Sequence, residues 1–313
     1  MGLATFRGGV HPFEGKELSM DRAVTVLKPT SGEMVYPLSQ HIGAPAKAIV
    51  KVGDEVLVGQ KIAEAGGFIS AVVVSSVSGK VKKIEPRVTA GGAKSISIVI
   101  ENDGLYTAVE GLGEDRDATK LSKQEIRDIV REAGIVGLGG AGFPTNVKLT
   151  PKDESKIDYV IVNGAECEPY LTCDYRMMIE EPERLVGGLK VMLQLFENAK
   201  AVIGIENNKP KAIETLRALV KDEPKITVEP LRTKYPQGGE RSLIYAVTGR
   251  EINSSMLPAD AGCVVDNVNT VMAIYDAVCK QTPILERVIT VTGDAVKEPQ
   301  NFKVRTGMNY NDI

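Results

Sequence analysis

The sequence has no tryptophan, only two histidines and only four cysteines among its 313 residues. The cysteines, at positions 167, 173, 263 and 279, form no C-x-x-C pair, which argues against a zinc or iron–sulfur site within this chain. So few cysteines, without a signal peptide, predict a reducing cytosolic compartment. His11 and His41 lie outside the polar loops described below, so acid–base catalysis by histidine has no support in the sequence.

Long apolar runs are also missing. The most apolar stretch, residues 68–77, is short and contains serines, whereas a membrane-spanning helix needs about 20 apolar residues. We therefore expect any attachment to a membrane to come through partner proteins. A net charge of -3 and a pI near 5.7 argue against nucleic acid as the main partner, because nucleic-acid binding usually requires a basic face.

The first third of the chain predicts an extended arm followed by a small all-β domain. Residues 1–32 are rich in loop-forming residues, whereas residues 33–102 contain short β-branched runs separated by glycine turns. Residues 52–62 and 76–81 resemble the two halves of a biotinyl/lipoyl-type β-sandwich. The segment between them, residues 63–75, contains no lysine to carry a cofactor, so the domain is predicted to be a scaffold. Examples of its predicted strands are residues 48–52, 56–58, 71–74, 79–84 and 95–100.

After a polar linker at residues 103–120, strands and helices alternate through residues 121–285, which predicts a layered α/β domain. Ser122 and Glu125 form a capping-box pattern at the start of its first helix. Residues 286–313 resemble the start of a truncated β-grasp-like domain, so we expect the sequence to be a fragment of a longer polypeptide. The predicted strands are residues 157–162, 201–205, 226–228, 263–265 and 287–291, and the predicted helices are residues 122–134, 182–198, 210–220, 240–247 and 268–278.

The most distinctive local feature is a glycine-rich loop at residues 137–145, GLGGAGFPT. It contains a formal G-x-G-x-x-G, but it follows a helix and is closed by Pro144, so it does not meet the context of a Rossmann motif. Four glycines within six residues let the main chain approach a phosphate or a flat ring closely. Lys148 is placed to supply a positive charge for that phosphate. The alternative is a flexible connection without a ligand.

Three further polar loops stand where a strand ends or a helix begins. Residues 163–169, NGAECEP, follow a predicted strand, and ligands of α/β sheets sit at such carboxyl ends. Asn163 offers donors and an acceptor to a ring or ribose edge, although a solvated acidic turn is the alternative. Residues 234–240 precede a helix whose free N–H groups favour anions. In residues 266–270, Asn267 and Asn269 have the alternative role of capping the following helix.

These motifs occur in the same order as in the NADH- and FMN-binding flavoprotein subunit of respiratory complex I. The chain resembles more closely the C subunits of Rnf electron-transport complexes, which share the GGVHP arm, the QHIG stretch at residues 40–43, ECEPY, ENNKP and KYP. The resemblance implies an FMN- and NADH-binding α/β domain behind the β-sandwich. The FMN contacts it implies are Gly137, Gly139, Gly140, Gly142, Lys148, Asn163, Glu166, Gly238 and Asn267. The contacts it implies for the nicotinamide nucleotide are Phe143, Glu168 and Glu240.

The resemblance also implies a role within a membrane-bound complex. Members of this family are expected on the cytoplasmic face of the membrane, exchanging hydride between NAD(H) and FMN while the complex moves electrons to or from ferredoxin and translocates ions. The resemblance implies that the 4Fe–4S clusters of such proteins belong to a C-terminal iron–sulfur domain, which we expect to be absent from this sequence. Leu138, Ala165 and Gly239 depart from the complex I pattern, which has an arginine, an aspartate and a glutamate there. The alternatives are a soluble NADH-dependent electron donor and a non-catalytic assembly module with an empty flavin pocket.

Overall fold

The computed structural model describes residues 2–313, which form two compact units. The first, the α/β unit, comprises the residues up to Thr25, Lys148–Tyr275 and Ile289–Phe302. The second, the β unit, comprises Val26–Val147, Asp276–Val288 and Lys303–Ile313. Compactness alone does not define a domain, so the predicted domain boundaries stay predictions.

The strands and helices are listed here in chain order. The strands are β1 (Thr25–Val26), β2 (Glu33–Pro37), β3 (Lys47–Ala48), β4 (Glu55–Val56), β5 (Lys61–Glu64), β6 (Val73–Val74), β7 (Gly79–Val88), β8 (Lys94–Asn102), β9 (Tyr159–Gly164), β10 (Lys200–Glu206), β11 (Ile226–Leu231), β12 (Cys263–Asn267), β13 (Glu286–Val291) and β14 (Gln300–Arg305). The α-helices are α1 (Lys123–Glu132), α2 (Thr145–Lys148), α3 (Cys173–Glu180), α4 (Pro182–Leu195), α5 (Pro210–Leu219), α6 (Glu240–Thr248) and α7 (Val268–Cys279).

The β unit contains the all-β domain that the sequence predicts. One sheet has the order β2-β8-β7-β4 and the other β3-β5-β6, with antiparallel pairing in both. Their apolar side chains form one buried cluster around Tyr36, whose hydroxyl lies 2.9 Å from Ser76 Oγ. The predicted strand at residues 48–52 is wrong beyond its first residue: β3 ends at Ala48, and Ile49 and Val52 are exposed. Strands β2 and β5 also lie within the predicted all-β stretch at residues 33–102.

The α/β unit is built on a four-stranded parallel sheet with the order β11-β10-β9-β12. The middle strands are buried along almost their whole length, as expected when helices cover both faces of a parallel sheet. All the helices predicted between residues 121 and 285 are present, with ends shifted by at most three residues. Pro182 and Pro210 occupy the first turns of α4 and α5, where proline is favoured. The α/β layered class is therefore confirmed.

The N-terminal arm has little regular structure between residues 2 and 24, and these residues belong to the α/β unit. Ala4 pairs with Leu231 and Val10 with Tyr235 through isolated bridges, and a short 3-10 turn covers Lys16–Leu18. Three further strands form a small sheet with the order β1-β14-β13. None of the helices within residues 2–313 combines the length and the apolar character needed to cross a bilayer.

Candidate functional site

Strands β9 and β12 end side by side, and their last residues form the centre of the candidate site. Asn163 and Asn267 are register partners across these two strands. Asn163 Nδ2 donates a hydrogen bond of 2.8 Å to the carbonyl of Gly238, in the loop before α6. Gly238 lies so close that an added Cβ would stand 3.2 Å from Asn163 Oδ1 and 3.3 Å from Cys167 Sγ. The fold thus brings together three of the residues that the family resemblance implies for FMN.

Lys148, at the end of α2, forms ion pairs with two carboxylates. Its Nζ donates 2.8 Å to the carbonyl of Val265 and lies 3.5 Å from Asp266 Oδ1 and 3.6 Å from Glu240 Oε1. Burial by itself would lower the pKa of Lys148, but the attraction of Asp266 and Glu240 outweighs it and raises the pKa. An incoming phosphate would therefore compete with two carboxylates for this lysine.

Asp266 is a site residue that the sequence argument did not select, although it stands next to Asn267. The side chain is completely buried, and neither carboxylate oxygen has a hydrogen-bond partner among the described residues. Burial raises the pKa of Asp266 to about 6, while Lys148 lowers it in part. The adjacent asparagines were easier to single out because an amide offers both donors and acceptors.

Glu166, in the loop that follows β9, is buried. Its Oε1 accepts hydrogen bonds from the main-chain N–H groups of Asp174 (2.7 Å) and Tyr175 (3.4 Å), so it caps the start of α3. Burial, followed by repulsion from Asp174, raises the pKa of Glu166 to about 7, although Lys209 and Lys16 oppose the rise. Glu168, two residues further on, is exposed.

Asn267 has two roles that the structure shows directly. Its Oδ1 accepts from the main-chain N–H of Asn269 at 2.9 Å, in the first turn of α7, which supports the capping alternative. Its Nδ2 donates to Asp174 Oδ2 at 2.6 Å, and Asn269 Nδ2 donates to Asp174 Oδ1 at the same distance. The two asparagines therefore hold a buried carboxylate at the start of α3.

Two buried lysines also hold the loop after β9. Lys209 lies in the ENNKP motif but was not selected as a site residue, and no sequence motif marks Lys16. Lys209, just before α5, donates 2.7 Å to the carbonyl of Ala165 and pairs with Glu206 at 3.5 Å. Lys16 of the arm donates to the carbonyls of Glu168 and Leu171. Lysine is almost never fully buried unless it is paired, so these contacts depend on the tertiary structure.

The glycine-rich loop belongs to the β unit and is closed at its base. Val136 and Pro144 form a bridge, and Gly137 N–H donates 2.9 Å to the carbonyl of Phe143. Gly142 has φ +66°, and an added Cβ would stand 3.2 Å from the carbonyl oxygen of Gln40, which explains why glycine is required here. The tip, Gly139 to Ala141, is exposed.

A cation is present beside this loop even though Leu138 replaces the arginine of the complex I pattern. Arg287 donates 2.6 Å from its guanidinium to the carbonyl of Leu138, within the β unit. Both residues line a cleft of about 610 Å³, together with His41 and Gly134. The predicted role of Gly137, Gly139, Gly140 and Gly142 in FMN binding stays a prediction.

Comparisons with known proteins agree with the fold of both parts of the chain. The domain family described as the RnfC barrel sandwich hybrid domain matches residues 4–105. The family described as the Nuo51 FMN-binding domain matches residues 130–276, which include the glycine-rich loop and every polar loop discussed above.

Two curated relatives match 99% of the chain. The C subunit of the proton-translocating ferredoxin:NAD⁺ oxidoreductase complex of Clostridium ljungdahlii is 47% identical, and the match covers 67% of that protein. The C subunit of the Na⁺-translocating complex of Acetobacterium woodii is 45% identical over 70% of its length. A crystal structure of an NAD⁺-reducing NiFe hydrogenase in the air-oxidized state is 26% identical with a TM-score of 0.50, covering 63% of this chain and 39% of the hydrogenase chain.

Proposed function

The chain belongs to the RnfC family, the C subunits of ion-translocating ferredoxin:NAD⁺ oxidoreductase (Rnf) complexes, and on that premise we propose that it exchanges hydride between NAD(H) and FMN within such a complex. The observation that carries the proposal is the meeting of Asn163, Gly238 and Asn267 at the carboxyl ends of β9 and β12, inside the region that matches the FMN-binding family. Ligands of α/β sheets bind at this edge.

The residues present at this edge fit a cofactor with both donor and acceptor groups. Buried polar groups are normally hydrogen-bonded, yet within the described part of the α/β unit Asp266 Oδ1 and Oδ2 and Gln237 Nε2 have no such partner. A flavin ring carries N–H and C=O groups along one edge, and its phosphate is anionic. The unsatisfied groups therefore support FMN as the ligand.

FMN, when bound, supplies hydride exchange with the nicotinamide and single-electron exchange with iron–sulfur centres. The chain contributes position and charge rather than a general base. Asn163 and Gly238 are proposed to orient the cofactor, and Lys148 is proposed to face its phosphate. Glu168 and Glu240, both exposed, are proposed to contact the nucleotide. The roles of the loop glycines and of Phe143 stay what the family resemblance implies. Correct positioning of two reactants contributes up to roughly 7–11 kcal/mol to catalysis.

The test is to add FMN to the purified chain and to measure quenching of flavin fluorescence, followed by bleaching of the flavin absorption when NADH is added. Asn163→Ala is expected to weaken FMN binding by about tenfold or more, because it removes the bond to Gly238 and the amide at the sheet edge. Asn311→Ala, an exposed asparagine outside the matched region, is the control. Absence of FMN binding to the parent chain would favour the assembly-module alternative.

The place of the chain in a complex is a separate proposal. We expect it to bind other subunits of a membrane-bound Rnf complex on the cytoplasmic face and to exchange electrons with ferredoxin only indirectly. Affinity purification of the tagged chain from its own cells should recover integral membrane subunits. Recovery of a soluble reductase instead would favour the alternative of a soluble electron donor.

A further inference from the structure

Lys16 is a buried lysine whose ammonium group is directed entirely to the loop after β9. The residue is 5% exposed, and its Nζ lies 2.5 Å from the carbonyl oxygen of Leu171 and 3.1 Å from that of Glu168. The same Nζ stands 3.8 Å from Glu166 Oε2. Burial of an ammonium group is costly unless it is paired and hydrogen-bonded, so these three contacts explain why the lysine is tolerated there.

The loop that Lys16 contacts needs support from outside, because its backbone is unusual. Glu166 and Tyr170 have φ values of +47° and +68°, in the left-handed region that non-glycine residues seldom adopt. The arm adds a main-chain hydrogen bond of 2.7 Å from Tyr170 N–H to the carbonyl of Glu14. Gly15 packs against the ring of Tyr170, where an added Cβ would stand 2.4 Å from ring carbons. The arm thus fixes the loop at several points.

We propose that Lys16 is a positioning residue for the nucleotide- and flavin-binding loop: its ammonium fixes the main chain at Glu168 and pairs with Glu166. A cation from the N-terminal arm then sets the placement of both predicted functional carboxylates. The inference rests on the proposed function. Lys16 lies outside residues 130–276, the region that matches the FMN-binding family, so that match gives it no role.

The electrostatic side of the proposal is measurable without a ligand. The charged and titratable groups that face Glu166 are Asp174, Cys173 and Tyr175 in the first turn of α3, Lys209 before α5 and Lys16 of the arm. Lys16 and Lys209 both lower the pKa of Glu166 against the effect of burial. Loss of the Lys16 charge should therefore raise that pKa further, whereas loss of an uncharged arm contact should leave it unchanged.

The experiment compares Lys16→Met with Ser19→Ala. Ser19 is a matched control because it is a buried arm residue whose Oγ lies 2.7 Å from Thr172 Oγ1, beside the same loop, and it carries no charge. In the flavin-free chain, the Glu166 carboxyl is titrated by carbon-13 NMR and assigned with Glu166→Gln. We expect Lys16→Met to raise the pKa by about one unit or more, and Ser19→Ala to leave it within a few tenths.

With FMN bound, the rate of flavin reduction by NADH is then measured. A displacement of about 1 Å in a group that positions a reactant can lower the rate on the order of 100-fold. Because Lys16 holds the loop after β9 in place, Lys16→Met is expected to slow the reduction of FMN by about tenfold to 100-fold. Ser19→Ala should stay within about twofold of the parent. Equal rates in Lys16→Met and Ser19→Ala, or an unchanged Glu166 pKa in Lys16→Met, would overturn the proposal.

Two further outcomes are decisive. If the parent chain does not bind or reduce FMN, the proposed function fails, while the titration of Glu166 still tests the placement of Lys16. If Lys16→Met does not fold, a double variant that combines it with Glu166→Gln is used, because the double variant removes one buried charge of each sign. Its rate of flavin reduction is compared with that of Glu166→Gln alone. A rate about tenfold lower in the double variant supports positioning through the main chain of Glu168, and an equal rate contradicts that positioning.

Discussion

Replacement of Asp266 by asparagine is the sharpest test of the electrostatics at the sheet edge. Asp266 is completely buried at the end of β12, and within the described residues its carboxylate accepts no hydrogen bond. The nearest cation is Lys148, with Nζ 3.5 Å from Oδ1. An isosteric amide removes the buried charge and keeps the shape of the side chain.

The expected size of the effect follows from the pKa of Asp266, which burial raises from 3.8 to about 6. A shift of about two units corresponds to about 3 kcal/mol. Because the pKa of Asp266 is higher in the folded than in the unfolded protein, protonation of Asp266 stabilises the folded protein. This stabilisation is fully present below about pH 4 and is lost as the pH rises through about 6.

Asp266→Asn should therefore match the parent in stability near pH 4 and exceed it above pH 7. The gain is expected to be about 3 kcal/mol, because the pKa of about 6 already includes the attraction of Lys148, which keeps Glu240 at 3.6 Å and the carbonyl of Val265 in the variant. The pH dependence of stability between about pH 4 and 7 should become flatter by the same amount.

The assay is urea denaturation followed by far-UV circular dichroism at a series of pH values, since the chain has no tryptophan to report unfolding. Glu240→Gln is the matched control: it faces the same lysine, but its side chain is 43% exposed, so its effect on stability should be below about 1 kcal/mol. If Asp266→Asn keeps the parental pH dependence, or is less stable than the parent above pH 7, the cost of burying the carboxylate does not exceed its attraction to Lys148 and the reasoning fails.

Three other outcomes are expected. Glu240→Gln should raise the midpoint potential of bound FMN in a redox titration, because one carboxylate fewer would oppose an anionic reduced flavin; an unchanged or lower potential contradicts the proposed contact. Gly188→Ala should destabilise the fold by about 3 kcal/mol or more in urea denaturation, because the new Cβ would stand 2.0 Å from the carbonyl oxygen of Val271. Gly187→Ala should cost less, because its new Cβ would meet a side chain, the ring of Tyr275 at 2.5 Å, and not the backbone. Ser122→Ala should lower stability by about 1 kcal/mol, through loss of the capping box of α1, and no measurable change would refute that role.

Much of the fold followed from short-range patterns. Helix α1 begins where Ser122 and Glu125 cap each other, and α4 and α5 begin at Pro182 and Pro210, so local chemistry marks each start. Helix α3 was missed because its cap is not local: Thr172 makes no side-chain cap, and the carboxylate of Glu166 replaces it.

Composition and the order of the motifs by themselves determined the classes of the two domains and the family. Glycine turns, alternating strands and long loop motifs are local patterns, so they can be recognised in one sequence. The family resemblance, which the comparisons confirm, also supplied Asn163 and Gly238, which the fold brings into contact. Tertiary structure alone decided which charges are buried and with what partner. Lys16 contacts a loop about 150 positions away, and Asp266 loses its water only when the sheet is covered. Burial and long-range pairing are set by packing, and no local pattern of residues contains them.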